Sequence, residues 1–260
     1  RETNRNVRYS RFGKIKFENV DNSLEHTQHI FEAKGGVFIT PPFVLAKKLK
    51  NIKAILFDWD GVFNEGNKGG GNHSGFSEID SMGTNMLRFS SWLKQEESML
   101  ISAIVTGANN EVSLDFAARE HFDKVYFGVT DKKQALKHLV EDCGLKKEEI
   151  AFFYDDILDL SIAKEVGVRV FVRSDAKVAF SEYVKHNQLA DYITAFSGGA
   201  HGVREACEML MELHFNYLEC IQERVAFSET YSRYLKERNN GGTIYYTKNS
   251  EGEIIEHYAS

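Results

Sequence analysis

The sequence has little of what marks a disulfide-stapled, membrane-bound or nucleic-acid-binding protein. Its three cysteines, Cys143, Cys207 and Cys220, are odd in number, far apart and without metal-ligand spacing. Free thiols are therefore expected, not a disulfide framework or a zinc site, and a reducing, cytoplasmic location follows as an expectation. No stretch approaches the ~18 apolar residues of a membrane span, and the charged opening RETNRNVRYSRF has no apolar signal region, so no membrane partner is expected. Positive charge is not in excess. The formal charge is −6, the pI is near 5.9, and the lysines are scattered among acids, which leaves no basic footprint for nucleic acid. Proline is nearly absent, the only two being Pro41 and Pro42. The chain opens on Arg1 and not Met, which leaves room for residues upstream.

What is present, 260 residues that are 42% apolar and 12% aromatic, suffices for one main domain with short additions. The most informative stretch is KAILFDWDGVF, Lys53 to Phe63. Ala54, Ile55, Leu56 and Phe57 run without alternation into Asp58, the pattern of a buried parallel strand that empties into a polar loop. Side chains two apart on extended chain share a face, so Asp58 and Asp60 are expected to point the same way, with Trp59 turned aside and Gly61 allowing a sharp exit. One such carboxylate can attack while the other handles a proton.

Residues 1–50 carry weak strand signals at Val7 to Phe17 and Val37 to Thr40, with a polar, His-containing stretch between them. Pro41 and Pro42 then open FVLAKKLKN, a short helix with proline in its first turn. After the key strand, NEGNKGGGNHSGF has five glycines in thirteen residues and is expected as a flexible loop or flap, in which Lys68 and His73 can reach a substrate. From Ser81 the pattern alternates: SMGTNMLRFSSWLKQ as helix, LISAIV as strand to Thr106, NEVSLDFAARE as helix, KVYFG as strand, and DKKQALKHLVEDCG as helix stopped by Gly144. IAFFY follows as a strand ending at Asp155, then ILDLSIAKEVG as helix, VRVFV as strand and KVAFSEYVKHN as helix, with DYITAF as an edge strand. The expected fold is α/β, a Rossmann-like parallel sheet with helices on both faces, which binds ligands at the carboxyl ends of its strands.

Three further signals fall on that face. Thr106 and Gly107 end a strand where a hydroxyl and backbone amides can hold an anionic oxygen. Lys132 lies in the first turn of a helix, its ammonium able to lean back toward a phosphoryl group, with Lys133 the solvated one of the pair. In YDDILDL, Asp155 and Asp156 end a strand and Asp159 lies one turn later. A carboxylate cluster facing Asp58 needs a cation, and hard oxygen donors favour magnesium.

In order and spacing, FDWDG, Thr106, Lys132 and YDDILD resemble the four motifs of the haloacid dehalogenase superfamily of phosphatases. Over roughly Asn51 to Met211 the chain is similar to the capless branch containing 3-deoxy-manno-octulosonate 8-phosphate phosphatase and the phosphatase-like domain of acylneuraminate cytidylyltransferases. FSEIDSMG, FGVTDKKQAL and SGGAHGVREACEML add to that likeness. The resemblance implies a nucleophile at Asp58 and a general acid and base at Asp60. It also implies Mg2+ held by Asp58, the Asp60 backbone carbonyl and Asp155, with Asp156 and Asp159 behind, and phosphoryl or substrate contacts from Thr106, Gly107, Lys132 and Arg204. It further implies a homo-oligomer, with a tetramer in which a neighbouring subunit closes the site as one form.

Two departures leave the substrate open. Ile79, Asp80 and Ser81 stand where the branch carries Arg before Asp-Gly, and His201 and Gly202 where it has Gly-Ala. The missing Arg removes a bidentate partner for a sugar-acid carboxylate. The expected function is a magnesium-dependent phosphatase of a small phosphorylated sugar or sugar acid. The alternatives are a phosphotransferase on the same fold, or an interaction protein whose role is carried by its extensions. The expected division is an N-terminal extension (1–50), a phosphatase domain (51–211) and a C-terminal extension (212–260). Helical spacing from His201 to about Arg238 predicts one long helix, followed by a hairpin turning at Asn249 to Gly252.

Overall fold

The computed structural model describes residues 23–68 and 75–258. Ser23 caps the first helix, its hydroxyl accepting from the His26 N–H at 3.1 Å, and α1 runs over Leu24–Glu32. Next come β1 (Val37–Phe38), α2 (Pro42–Leu49), β2 (Ala54–Phe57), α3 (Glu78–Lys94), β3 (Ile101–Val105), α4 (Glu111–Arg119), β4 (Lys124–Tyr126) and α5 (Lys132–Cys143). They are followed by β5 (Ile150–Tyr154), a 3-10 turn at Ile157–Asp159 leading into the short α6 (Leu160–Ala163), β6 (Val168–Arg173), α7 (Val178–His186) and β7 (Tyr192–Ser197). The chain ends with α8 (Gly202–Leu213), α9 (Tyr217–Ala226), α10 (Glu229–Arg238), β8 (Ile244–Lys248) and β9 (Ile254–Glu256). Among the described residues, no helix or strand lies between β2 and α3, where a cap domain would be inserted.

The nine strands form one sheet in the order β1-β7-β6-β5-β2-β3-β4-β8-β9. All pairings are parallel except β1 with β7 and β8 with β9. The apolar strands alternate between two cores. Ile55, Phe57, Ala151 and Phe153 face a core built with α3, α8 and α10, whereas Ala54, Leu56, Phe152 and Tyr154 face one built with α5, α6 and α7. An unbroken apolar run is what a strand covered by helices on both faces requires.

Several elements differ from the sequence expectation. The polar stretch before residue 37 contains α1, and β7 lies inside the sheet because β1 pairs outside it. ILDLSIAKEVG gives only a 3-10 turn and four helical residues. The single long helix over 201–238 is three helices. Phe215 and Phe227 adopt left-handed backbone (φ 58° and 47°), and the Asn216 side chain is held by Ser90, with Ser90 Oγ donating to Oδ1 at 2.6 Å and Nδ2 donating to the Ser90 carbonyl at 3.0 Å. These breaks fold α9 and α10 back onto α3, so helical spacing persisted across two turns that periodicity alone does not register. Both flanking segments contribute strands to the central sheet, β1 from one and β8 from the other. The Val7 to Phe17 strand signal lies outside the described residues.

Candidate active site

Strand order reverses at β2, with β3 and β4 on one side and β5, β6 and β7 on the other. In such sheets the crevice above the reversal is the ligand site. Asp58 is the first residue beyond β2, its N–H donating to the Phe153 carbonyl at 2.9 Å. Trp59 turns into the core and stacks on Phe63 at 5.0 Å, so the loop is anchored by an aromatic side chain directly beside the carboxylate. Gly61 follows at φ +86°. A Cβ there would lie 2.0 Å from Asp155 Oδ2, so only glycine lets the loop cross over the end of β5.

Three strand-end carboxylates converge. Oxygens of Asp58, Asp155 and Asp159, all buried, lie within 4.8 Å of one another. Lys132, 4% exposed at the start of α5, grips two of them, with Nζ 2.6 Å from Asp58 Oδ1 and 2.5 Å from Asp159 Oδ1. Asp159 also accepts from the Asp156 N–H at 3.1 Å, which locks the turn after β5. Burial pushes the Asp58 carboxyl well above the usual carboxylate range, Asp159 and Asp155 add to the push, and Lys132 opposes it. For Lys132, burial disfavours the charge, but the two carboxylates outweigh it and hold the ammonium above its ordinary value. Asp155 is pushed up to about 6, chiefly by burial and against the pull of Lys177. Two ammoniums, Lys132 on Asp58 and Asp159 and Lys177 on Asp155, against three buried carboxylates leave negative charge to be neutralised.

The donor set fits a hard divalent cation. It is all oxygen, and Asp155 Oδ1 is buried without a hydrogen-bond partner, as an atom facing a cation would be. Asp159, expected behind the ligands, lies within the carboxylate cluster. Asp60 is not part of that cluster, and its Oδ2 pairs with Lys68 on the flap at 2.8 Å. Thr106 is buried just beyond β3, its Oγ1 accepting from the Ala108 N–H at 3.3 Å, and Gly107 lies between them opposite Thr130. Asp156 is half-exposed and Lys133 is solvated beside Glu165. Arg204 points elsewhere: its Nε pairs with Glu208 at 2.7 Å and its backbone N–H reaches the buried Asp80 at 3.0 Å. His73 lies outside the described residues.

Lys177 was not foreseen. It precedes α7 and places Nζ 3.0 Å from the Asp155 carbonyl, 3.0 Å from Asp156 Oδ2 and in contact with Asp155 Oδ2. The only sequence hint was its place just after β6, next to the strand that carries Asp155.

No family model matches the chain. Among characterised proteins it resembles 3-deoxy-D-manno-octulosonate 8-phosphate phosphatase of Escherichia coli K12, 27% identical over 168 residues, 63% of this chain and 81% of that protein. The enzyme of the same name from Salmonella typhimurium is 28% identical over 174 residues, covering 65% and 84%. Among solved structures, the Moraxella catarrhalis enzyme of that name, in complex with magnesium, phosphate and KDO, aligns with a TM-score of 0.56. Identity there is 27%, over 71% of this chain and 98% of that one. These likenesses support a capless phosphatase of the haloacid dehalogenase kind. The structure of a probable YrbI-family phosphatase from Pseudomonas syringae is similar as well, with a TM-score of 0.57 and 26% identity over 71% of this chain and 97% of that one. The cluster of Asp58, Asp155 and Asp159 could hold a metal ion such as the magnesium bound in the Moraxella structure.

Proposed function

We propose that the protein is a magnesium-dependent phosphatase that hydrolyses the phosphomonoester of a small sugar or sugar acid through an aspartyl phosphate on Asp58. The observation that carries this reading is the gathering of Asp58, Asp155, Asp159 and Lys132 above the point where strand order reverses. The relatives named above act on a sugar-acid phosphate, which gives the substrate class.

In this reading the Asp58 carboxylate attacks phosphorus in line with the ester oxygen. Asp60 donates a proton to the departing sugar oxygen and then takes one from the water that opens the acyl phosphate. Lys132 holds Asp58 in place and faces the transferred group, while the Thr106 hydroxyl and the amide of Gly107 bind phosphoryl oxygens. Magnesium held by Asp58, Asp155 and the neighbouring oxygens supplies neutralisation of phosphoryl charge. Phosphate-monoester hydrolysis is among the slowest uncatalysed reactions, with enhancements up to ~10²¹, so a nucleophile, an acid and a cation are all called for.

Two features bear on the sugar. Asp80, which follows Ile79 where the branch has Arg, is buried and accepts from Ser77 and His201, and Arg204 is engaged by Glu208. No arginine stands at position 79, and Arg204 is engaged by Glu208 in a half-exposed pair, which leaves the sugar-acid preference open to a wider substrate range. A second subunit closing the site in a homo-oligomer belongs to the same proposal. Phosphate release from a panel of sugar and sugar-acid phosphates and an aryl phosphate, with magnesium and with chelator, tests it. Magnesium-dependent turnover of at least one ester is expected, and no turnover of any would sink the reading.

A further inference from the structure

Lys177 lies against the metal-competent carboxylates without a part in the proposed chemistry. Four carboxylates, Asp58, Asp155, Asp156 and Asp159, face two ammonium groups, Lys132 and Lys177. The two lysines are placed differently. Lys132 is sealed at 4% exposure and divides itself between Asp58 and Asp159, so it has no route of retreat. Lys177 is 23% exposed and reaches in from the turn before α7. It contacts Asp155, of which 5% is exposed, and also Asp156, which is 51% exposed at the rim.

We propose that Lys177 is a tethered counter-cation that occupies Asp155 until a divalent metal displaces it, and so sets the metal affinity of the site. This rests on the reading of Asp58, Asp155 and Asp159 as a divalent-metal site. Asp155 Oδ2 and the Asp155 carbonyl are committed to the Lys177 ammonium, leaving only Oδ1 without a partner. A cation that draws on both carboxylate oxygens, or whose charge lies a few ångströms from an ammonium, has to move that ammonium outward. Asp156 Oδ2 gives it somewhere to go. Lys177 keeps this rim partner while its side chain swings from Asp155 toward solvent, and its four-carbon stem has the freedom for it. The sequence builds this by setting Lys177 one residue before α7, where its side chain carries no capping duty. In the absence of metal, Lys177 keeps the buried carboxylates from facing each other uncompensated. In its presence the same charge is a competitor.

The test is calorimetric titration of Mg2+ into the metal-free wild-type protein and Lys177→Met, which keeps the stem and removes the charge. Magnesium should bind the variant about tenfold more tightly or better, and the metal-free variant should melt at a lower temperature than wild type while the two converge at saturating Mg2+. Equal or weaker binding by a folded Lys177→Met protein overturns the proposal and leaves the metal site standing. Absence of Mg2+ binding in both proteins overturns the metal site itself and the proposal with it. Should Lys177→Met not fold, a crystal structure of wild type with Mg2+ decides. Separation of Lys177 Nζ from Asp155 Oδ2, with contact to Asp156 retained, supports displacement, and an unmoved Lys177 beside bound metal refutes it.

Discussion

Asp58 and Asp60 share one strand end yet sit in different surroundings, and their substitutions should fail differently. Asp58 is enclosed by Lys132 and two further carboxylates, whereas Asp60 meets the flap lysine Lys68. On the roles proposed above, Asp58→Asn removes the nucleophile and one metal charge, so no phosphoenzyme should be trapped and Mg2+ should bind more weakly. Asp60→Asn should bind Mg2+ normally and lose about 10² to 10⁴-fold in turnover of a sugar phosphate, the usual worth of acid and base help. An aryl phosphate whose phenol leaves without a proton should be hurt far less. Rapid-quench trapping and paired kcat measurements on the two esters check this, and equal losses on both esters for Asp60→Asn would contradict the roles assigned. At this scale the sequence was informative because each group sits where an apolar strand ends. Asp58, Lys132, Asp155 and Asp159 could be placed on one face from strand and helix boundaries alone. Lys177 could not, since nothing local distinguishes a lysine before a helix from a solvated one, and Arg204 looked available until the Glu208 side chain one turn on was seen to hold it.

Among the elements, the junction of α8 with α9 carries a second measurable consequence. His214 ends α8, 2.8 Å from Ser90 Oγ on α3, and burial, with a smaller contribution from Lys94, pulls its imidazole down to about 4 from 6.5. The unfolded chain therefore binds a proton between these values that the folded chain refuses. Stability from this group is full above pH 6.5 and is lost as pH falls toward 4, and at ~1.4 kcal/mol per pKa unit the loss is about 3 kcal/mol. Denaturant melts of wild type and His214→Gln from pH 7 to pH 4.5 should show a shallower acid decline in the variant; parallel declines would mean that His214 is protonated in the fold. The helical spacing of Val203, Cys207 and Leu210 through Tyr231 and Leu235 was visible in the sequence, but its two interruptions were not. Phe215 and Phe227 are poor candidates for left-handed backbone, and tertiary partners such as Ser90 impose what local propensity does not announce.

For the molecule as a whole, the parallel core was legible because each strand is an apolar run followed by a helix. At its margins the strand signal at Val37 and the C-terminal hairpin were read, but their place in the sheet was not, because β1 has only two residues and β8 pairs with a strand more than a hundred residues earlier. The C-terminal hairpin consequently belongs to the sheet. Tyr246 stacks on the buried Tyr126 at 5.0 Å, and β8 covers the side of β4 that β3 leaves open. Deleting residues 240–260 should cost about 3 kcal/mol or more of stability from lost aromatic burial and strand pairing, with a lower melting temperature, and should promote aggregation through the exposed β4 edge. Thermal unfolding with light scattering reads both, and an unchanged melting curve would instead mark the hairpin as a detachable module.

The strand order also sets a schedule for the ribosome. The central strand β2 pairs with β3 and β5, the N-terminal β1 waits for β7, and β4 waits for β8 near the far end of the chain. A nascent chain emerging at ~5–20 residues per second thus carries an unpaired side of β4 until β8 has emerged. The pairing of β4 with β8 comes late, and because that contact spans so much sequence, loop-closure entropy makes it slow to form. The protein should therefore depend on chaperones during synthesis more heavily than its finished nine-stranded sheet suggests.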